Sequence, residues 1–517
     1  MRTACGITGI VVNNSTLDIS DLIAVLHTIQ HRGQSSWGVA CLDNGKIRGQ
    51  TRAGLLPNQS TPLRPHPLAC CIGHVGDAIL HQDQQNARGE KIVDGAQPVL
   101  GRSLRGNFAV SFNGQLGYFS NEGANRNIQD IQRIITGIAE HPSDSWIKVL
   151  HDVVANCVAA FTLVILTDQG LFYARDLRGY RPLVRADITV SDAVNHKPIM
   201  DCHTVVSEEC GHIELRRRLI AKFPKAIVEI KSHTVQPSTI GHIMLDGRWK
   251  EWAVRLDTNG RRRHEPKTGC SLEAIHFMDS SGEFDGLELD RFREVCGREL
   301  ALTDRVNRDI FPAGSTIVVG CPRSGILCGK GYAAAARLPY VQLIRVVNKV
   351  SRSGDDRVTI NDTSPRYQHR KRKSRPRLVL GHDVDIAGKT VVIVDDVIIT
   401  GATLQNVVQM LRAAHASEVH IRIATPALRN KCNWGTVLPD VEDLLSSAAP
   451  TTPLAAQCIG VNSFKYLSVE RFGQLTGPGY CQECFFTSDA PTAESAGHAP
   501  SPIRTREHTK ISLPDST

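Results

Sequence analysis

The sequence predicts a mixed α/β and α+β protein, with a sheet-rich amino-terminal half followed by a half built on a parallel sheet. Three observations carry that expectation. Short apolar runs of β character, separated by turn signals, recur over residues 5–230. From Cys270 onward strands and helices alternate, and the strands are apolar on both faces. Finally, 517 residues with 41% hydrophobic and 22% charged content suit a globular chain of about two to four domains.

In the first half the strand candidates are CGITGIVV at the start, GNFAVSF (106–112), AFTLVILT (160–167) and LFYAR (171–175). Two helical patterns interrupt them. One is DLIAVLHTIQHRG (21–33); the other is 127–139, where Ile128, Ile131, Ile134, Ile135 and Ile138 recur at helical spacing. Residues 246–268 are polar and basic and read as a connector. The second half reads as helix 290–303, strand 315–322, helix 329–338 and strand 340–346. Strand KTVVIVDD (389–396), helix 403–415 and strand 418–426 follow. Residues 351–377 lack apolar periodicity and read as a mobile loop, and the tail from about Thr487 reads as disordered.

Composition excludes several classes. No stretch is apolar for the roughly 18–20 residues a bilayer crossing needs, and MRTACGITGI lacks a signal-peptide core. The expectation is a cytoplasmic protein with no membrane partner. Fifteen cysteines without an export signal point to thiols, metal ligands or a nucleophile rather than disulfides. The formal charge of +8 would be +1 without 366–377, a run with seven Lys and Arg and no acid. That run reads as a lid over an anionic substrate or as a solvated, nucleic-acid or localisation patch; its place between strands favours the lid.

The sharpest local signal is VVIVDDVIITGATLQNVVQML (391–411). An apolar strand ends in Asp395 and Asp396, and Thr400, Gly401, Ala402 and Thr403 open a helix. Helix N-termini offer free N–H donors and positive dipole density, which suits phosphate. The paired acids suit ribose hydroxyls and Mg²⁺. No Lys-Ser/Thr follows, so this is not a Walker loop. The string resembles the ribose-phosphate signature of type I phosphoribosyltransferases. The resemblance implies phosphoribosyl pyrophosphate as substrate, with Mg²⁺ at Ser324, Asp395 and Asp396.

Cys5 lies just before the first strand. If Met1–Ala4 were removed, Cys5 would hold both a thiol and an α-amine titrating at about 7.7–8.0, a nucleophile and its base in one residue. CGITGI, HRGQSSWG (31–38), AQPV (96–99), FNGQL (112–116) and RDLRGYRPL (175–183) occur in the order found in class II glutamine amidotransferases. With CSLEAIHF, CPRSGI, YLSVE and YCQECF, the chain is similar along most of its length to the glutamine phosphoribosylpyrophosphate amidotransferase family. That resemblance implies an N-terminal nucleophile (Ntn) αββα sandwich joined to a type I phosphoribosyltransferase domain. The implied division is propeptide 1–4, amidotransferase domain 5–245, connector 246–269, phosphoribosyltransferase domain 270–486 and tail 487–517.

By the same resemblance Cys5 attacks the glutamine amide, Asn113 and Gly114 form the oxyanion hole, and Arg32 shapes the pocket. Ammonia then displaces pyrophosphate to give phosphoribosylamine at the opening of purine synthesis, and the assembly is a homotetramer. The sequence departs from the family pattern at Gly76 and Asp77, where Arg-Tyr is usual, and at Asn127, where Asp is usual. Phe112 replaces a common His, and Arg323 an Asp. Glutamine is a zwitterion, so both changes remove a charged partner. The amidase half is therefore expected to be weak, altered in donor or dependent on free ammonia.

Cys481 and Cys484 form a CxxC pair, and Cys270 and Cys432 add two soft ligands. Zinc and an iron–sulfur cluster both suit four thiols; the contexts GCSLE, KCNWG and YCQECF resemble the branch carrying a [4Fe–4S] cluster. Two other functions stay open: phosphoribosyl transfer to a different amine, and a non-catalytic regulator binding the same ligand.

Overall fold

The computed structural model describes residues 5–13, 17–56, 69–76, 79–85, 91–116, 126–156, 159–254, 269–304, 311, 314–347, 377–381, 384–434, 436 and 438–486. Met1–Ala4, Asp77, most of the basic run and the tail lie outside them, as does the Asn127 side chain.

The first half is two antiparallel sheets packed face to face. The seven-stranded sheet has the first strand, Gly6–Asn13, at its centre between Pro198–Val206 and Cys70–Gly76. The six-stranded sheet runs from Trp249–Ala253 to Val99–Ser103 and includes Gly106–Leu116 beside Ala159–Thr167. Strand alternation sends Ile7, Val11, Ile72, Ala109 and Val164 into the layer between the sheets. The opposite face of the first sheet carries Ile10, Val12, Cys71 and Val206 against Leu22, Val25 and Leu26 of helix Ile19–Thr28. Asp18 and Asp21 cap that helix reciprocally, and the chain tightens into a 3-10 turn at Gln30–Arg32. Helices Arg126–Glu140 and Trp146–Asn156 cover the second sheet through Ile131, Ile134, Ile138, Val149 and Leu150. The result is a four-layer αββα sandwich.

The second half is a four-stranded parallel sheet in the order Thr316–Gly320, Thr390–Asp395, Glu418–Ile423, Ser463–Tyr466. Helices Leu289–Thr303 and Gly325–Ala336 cover one face, and Ala402–Ala413 with Thr452–Ile459 the other.

Two expectations need correction, and one strand was not anticipated. Residues 246–253 are not connector: Asp246-Gly247 forms a hairpin turn, Gly247 at φ +84°, and Trp249–Ala253 pairs with Thr239–Met244. Residues 340–346 are not a full strand of the parallel sheet. Tyr340 bridges Val318, then the Leu343 N–H bonds the Val341 carbonyl and the chain turns away. Ile344–Val347 pairs instead with Arg377–Leu380 in an antiparallel ribbon. The fourth parallel strand, Ser463–Tyr466, is too short to announce itself in sequence.

Candidate active sites

The acid pair stands at the carboxyl end of a central strand whose Val391–Val394 are fully buried. Beyond it, Gly401 takes φ +78° and helix Ala402–Ala413 begins. A Cβ at Gly401 would meet nothing nearer than 3.4 Å, so the glycine serves backbone conformation rather than space. Leu404, Val407, Val408 and Leu411 pin the helix to the sheet. Its N-terminus, with Thr400 and Thr403 exposed, therefore points to the same end as Asp395 and Asp396.

The loop Cys321–Ser324 comes alongside, bonded through Cys321 N–H to the Val394 carbonyl at 2.9 Å. A Cβ at Gly325 would sit 2.7 Å from the Asp395 carboxylate, so this glycine admits helix Gly325–Ala336 to the site. His276 Nδ1 lies 2.7 Å from Asp396 Oδ2 and 3.5 Å from Ser324 Oγ. Burial raises the Asp396 pKa, but His276 and neighbouring hydrogen bonds outweigh it and hold this carboxyl at about 2. Burial and the Asp396 charge push Asp395 well above the usual range. The buried Asp396 and the half-buried Asp395, with one imidazole on Asp396, form a hard-oxygen set that fits Mg²⁺.

In the sandwich, Cys5 is half-buried and its carbonyl accepts from Arg32 Nε at 2.9 Å. Position 76 is beside the thiol: a Cβ there would lie 2.9 Å from Cys5 Sγ and 2.3 Å from Cε1 of His74. The space where a side chain would start is thus taken by the His74 ring. Gly33 packs against the Gly76 backbone, where its own Cβ would come within 2.2 Å. Burial lowers His74 to about 3, so the imidazole stays neutral. Asn113 is fully buried, and both its amide atoms lack partners among the described residues. Spacing from Ala109 turns it into the layer between the sheets, as spacing from Ile7 turns Cys5. Gly114 cannot carry a side chain, since a Cβ would be 2.5 Å from the Ala160 carbonyl oxygen.

Arg32 is not free to meet a substrate. It is 1% exposed, its Nη1 donates to Glu208, and its Nη2 lies 3.1 Å from both oxygens of Glu273. Arg181 donates to the same Glu273. His31 bonds Glu208 at 3.0 Å. Burial opposes the Glu208 charge, yet His31, Arg32 and the Asp279 N–H hold that carboxyl at about 2. Glu273 opens the π-helical turn Glu273–Phe277 that also carries His276. One short turn therefore touches the cation beside Cys5 at one end and Asp396 at the other. Glu208, Glu273, Arg181 and His276 had no role in the sequence reading, although three of them sit inside or beside strings that carried the resemblance.

The halves meet elsewhere as well. Arg175 forks onto Asp285 at 2.7 and 3.0 Å. Tyr180 stacks on Trp434 with centroids 5.0 Å apart, and Arg178 lies over the same indole.

The four cysteines assemble beside this seam. Cys270 is the direct partner of Cys481 in a short parallel pairing. Cys432 Sγ accepts from Trp434 and Thr436 N–H at 3.4 and 3.3 Å. Burial raises Cys270 to about 12 and pushes Cys481 and Cys484 well above the ordinary thiol range, each of these thiols also feeling the others. Among the described residues no three His, Cys, Asp or Glu side chains converge as for a single metal ion. No helix among them is long and apolar enough to cross a membrane.

Residues 300–434 match the phosphoribosyl transferase domain model. Curated relatives extend over most of the chain. The amidophosphoribosyltransferase of Rattus norvegicus is 25% identical over 91% of this chain and 88% of its own length. That of Methanothermobacter thermautotrophicus is 25% identical over 95% of each, and that of Synechocystis 27% over 93% and 90%. Among solved structures, one described as the allosteric regulatory enzyme of purine biosynthesis superposes with TM-score 0.69 at 24% identity, covering 93% of this chain and 95% of that one. The glutamine phosphoribosylpyrophosphate amidotransferase of B. subtilis complexed with ADP and GMP gives TM-score 0.68 at 24% identity, over 93% and 96%. The fold is thus an Ntn sandwich joined to a type I phosphoribosyltransferase domain.

Proposed function

Starting from this kinship with amidophosphoribosyltransferases, we propose that the protein forms 5-phosphoribosylamine from phosphoribosyl pyrophosphate and ammonia, the opening step of purine biosynthesis. The observation that carries the reading is the pairing, on one chain, of a thiol and buried unpartnered Asn113 with an acid pair facing an open helix N-terminus.

In the transfer, Thr400–Thr403 hold the 5′-phosphate with backbone N–H groups and hydroxyls. Asp395 and Asp396 orient the ribose hydroxyls, and His276 fixes Asp396 in place. Mg²⁺, when bound by Ser324, Asp395 and Asp396, supplies positive charge to the pyrophosphate leaving group. The basic run 366–377 serves as the lid that excludes water from the oxocarbenium-like state. In the amidase half Cys5 attacks the amide once Met1–Ala4 are removed, and Asn113 with Gly114 receives the oxyanion.

Gly76 favours one refinement. With no side chain there, and with Arg32 committed to Glu208 and Glu273, neither position offers a cation to a substrate carboxylate. The amidase half is then weak for glutamine, takes another amide, or gives way to free ammonia. The four cysteines hold a [4Fe–4S] cluster in a structural role; support comes from the pairing of Cys270 with Cys481, the CxxC spacing of Cys481 and Cys484, and the N–H donors onto Cys432.

The test is pyrophosphate release from phosphoribosyl pyrophosphate with Mg²⁺, run with glutamine and with ammonium. Release with ammonium is expected, and release with neither refutes the reading. Ordinary saturation by glutamine would refute the refinement at Gly76. Visible absorbance of the purified protein, lost in Cys481→Ser, is the expected mark of the cluster; zinc without absorbance is the result against it.

A further inference from the structure

Four cysteines of the amino-terminal sandwich take no part in either reaction site or in the thiol seam: Cys41, Cys70, Cys71 and Cys202, all of them free. Three lie on one face of the seven-stranded sheet. Cys71 and Cys202 are buried in the layer under helix Ile19–Thr28, and Cys41 packs against the same layer from its margin. Cys70 alternates to the opposite face, among Ile7, Val11 and Ile72.

Register decides which of these thiols can meet. Strands Ser36–Asp43 and Cys70–Gly76 run antiparallel, and Cys41 and Cys71 are direct partners. Such partners have Cα atoms about 4.5–5.5 Å apart, inside the roughly 4.4–6.8 Å that a disulfide spans. Both side chains leave the sheet on the same face, so they start toward one another. A side-chain hydrogen bond with Cys41, with burial adding to it, pushes the Cys71 thiol well above its ordinary range. Cys202 is out of reach, because Cys71 faces Ile10 and Cys202 faces Val12 from opposite sides of the first strand. Two strand spacings of about 4.8 Å and an offset of two residues separate them by roughly 12 Å. Cys210, at the margin of the same core, turns its thiol to the Thr28 carbonyl at 3.9 Å.

The pair differs in access. Cys41 is partly exposed, whereas Cys71 is fully buried, so an oxidant from solvent reaches Cys41 first. We propose that Cys41 and Cys71 form a modification site for hydrogen peroxide, closing to a disulfide between the two strands. In the first step the Cys41 sulfur attacks the O–O bond, giving a sulfenic acid and one water. In the second, the Cys71 sulfur attacks the Cys41 sulfur, the S–O bond breaks, and hydroxide leaves with the Cys71 proton as a second water. Two electrons thus pass from the two thiols to one peroxide. A partner already in contact stops Cys41 at the stage that a reducing thiol can reverse. The new bond fastens the outer strands Ser36–Asp43 and Lys46–Ala53 to the strand that runs on to Gly76, beside Cys5.

The full chain is treated with hydrogen peroxide, blocked with an alkylating agent and digested without reductant for mass spectrometry. A peptide pair linked through Cys41 is expected, two hydrogens lighter than its parts and released by dithiothreitol. Cys70 and Cys71 are adjacent, so variants assign the partner: Cys70→Ala should keep the link, and Cys71→Ala should lose it. Cys41→Ser, at the partly exposed position, should lose it as well with the fold intact. A cyclic 1,3-diketone that traps sulfenic acids gives a second readout. It should label Cys41 several-fold more in Cys71→Ala than in the parent, where Cys71 captures the sulfenic acid first. Cys70→Ala, an equally buried truncation, should leave that labelling at the parent level. Absence of a link through Cys41, a link from Cys41 to Cys70 or Cys202, or equal labelling in the parent and Cys71→Ala would each overturn the proposal.

Discussion

Glu273 joins the two halves of the molecule, and replacing it with Gln tests how much of the assembly rests there. The side chain is fully buried and accepts from Arg32 at both oxygens and from Arg181. Gln keeps the shape but removes the charge and turns one oxygen into a donor facing guanidinium N–H groups. Arg32 retains Glu208, and both Arg32 and the buried Arg181 lose the Glu273 charge. Breaking a buried pair by removing one partner costs about 3–5 kcal/mol, because the other charge stays behind in low dielectric. The expected result is a loss of that size in urea-unfolding stability followed by tryptophan fluorescence. Ammonium-driven pyrophosphate release should fall as well, because the turn carrying His276 begins at Glu273. Arg217 and Glu214 form an exposed pair on one helix and provide the control: Glu214→Gln should leave both readouts unchanged. A Glu273→Gln protein within about 1 kcal/mol of the parent, with normal transfer, would refute the reasoning.

Four further outcomes are expected. Cys5→Ala should abolish any amide-driven pyrophosphate release and spare the ammonium-driven reaction, while Asp396→Asn should lower the ammonium-driven reaction by about a hundred-fold or more; an active Asp396→Asn protein contradicts the site. Gly401→Ala forces a Cβ into φ +78°, costing about 1 kcal/mol, and should raise KM for phosphoribosyl pyrophosphate with little change elsewhere. Glu208 sits at about 2 in the fold against an ordinary 4.5. A depressed carboxyl stabilises above its unfolded value and loses that increment as pH falls through the folded one. Stability should therefore decline between pH 4.5 and 2, and Glu208→Gln should flatten that acid limb; an unaltered limb in urea midpoints is the result against it.

Much of this was legible because the determining forces are local. VVIVDD is too apolar for anything but a buried strand, and the helix after Gly401 follows from its own periodicity. The acid pair and its phosphate loop are contiguous, so one string displays them. Cys5, Asn113 and Gly114 lie far apart, yet each falls in a short recognisable context. What stayed hidden depends on distance. Glu208 and Glu273 look like ordinary surface acids until folding buries them against Arg32. His276 could pass for a core histidine, and only the approach of Asp396 gives it a partner. The Asp246-Gly247 hairpin was visible as a turn signal, but the basic character around it masked the strand that follows.

The Gly269–Cys270 segment pairs with Tyr480–Cys481, and Ser271 donates to the Cys481 carbonyl 210 residues along the chain. During synthesis the sandwich can close once Ala253 has emerged, since all strands of both its sheets precede that point. The second half cannot. Its opening strand, the Tyr480 hydroxyl contact to Phe284 and the fourth thiol all wait until about two hundred more residues are made, some ten to forty seconds at ordinary elongation rates. In that interval Cys270 and Phe284 lack the cover that Tyr480 and Cys481 bring. The last described residues thus act as a latch that arrives late, and a ribosome stalled before them would present a finished amino-terminal sandwich attached to an open partner.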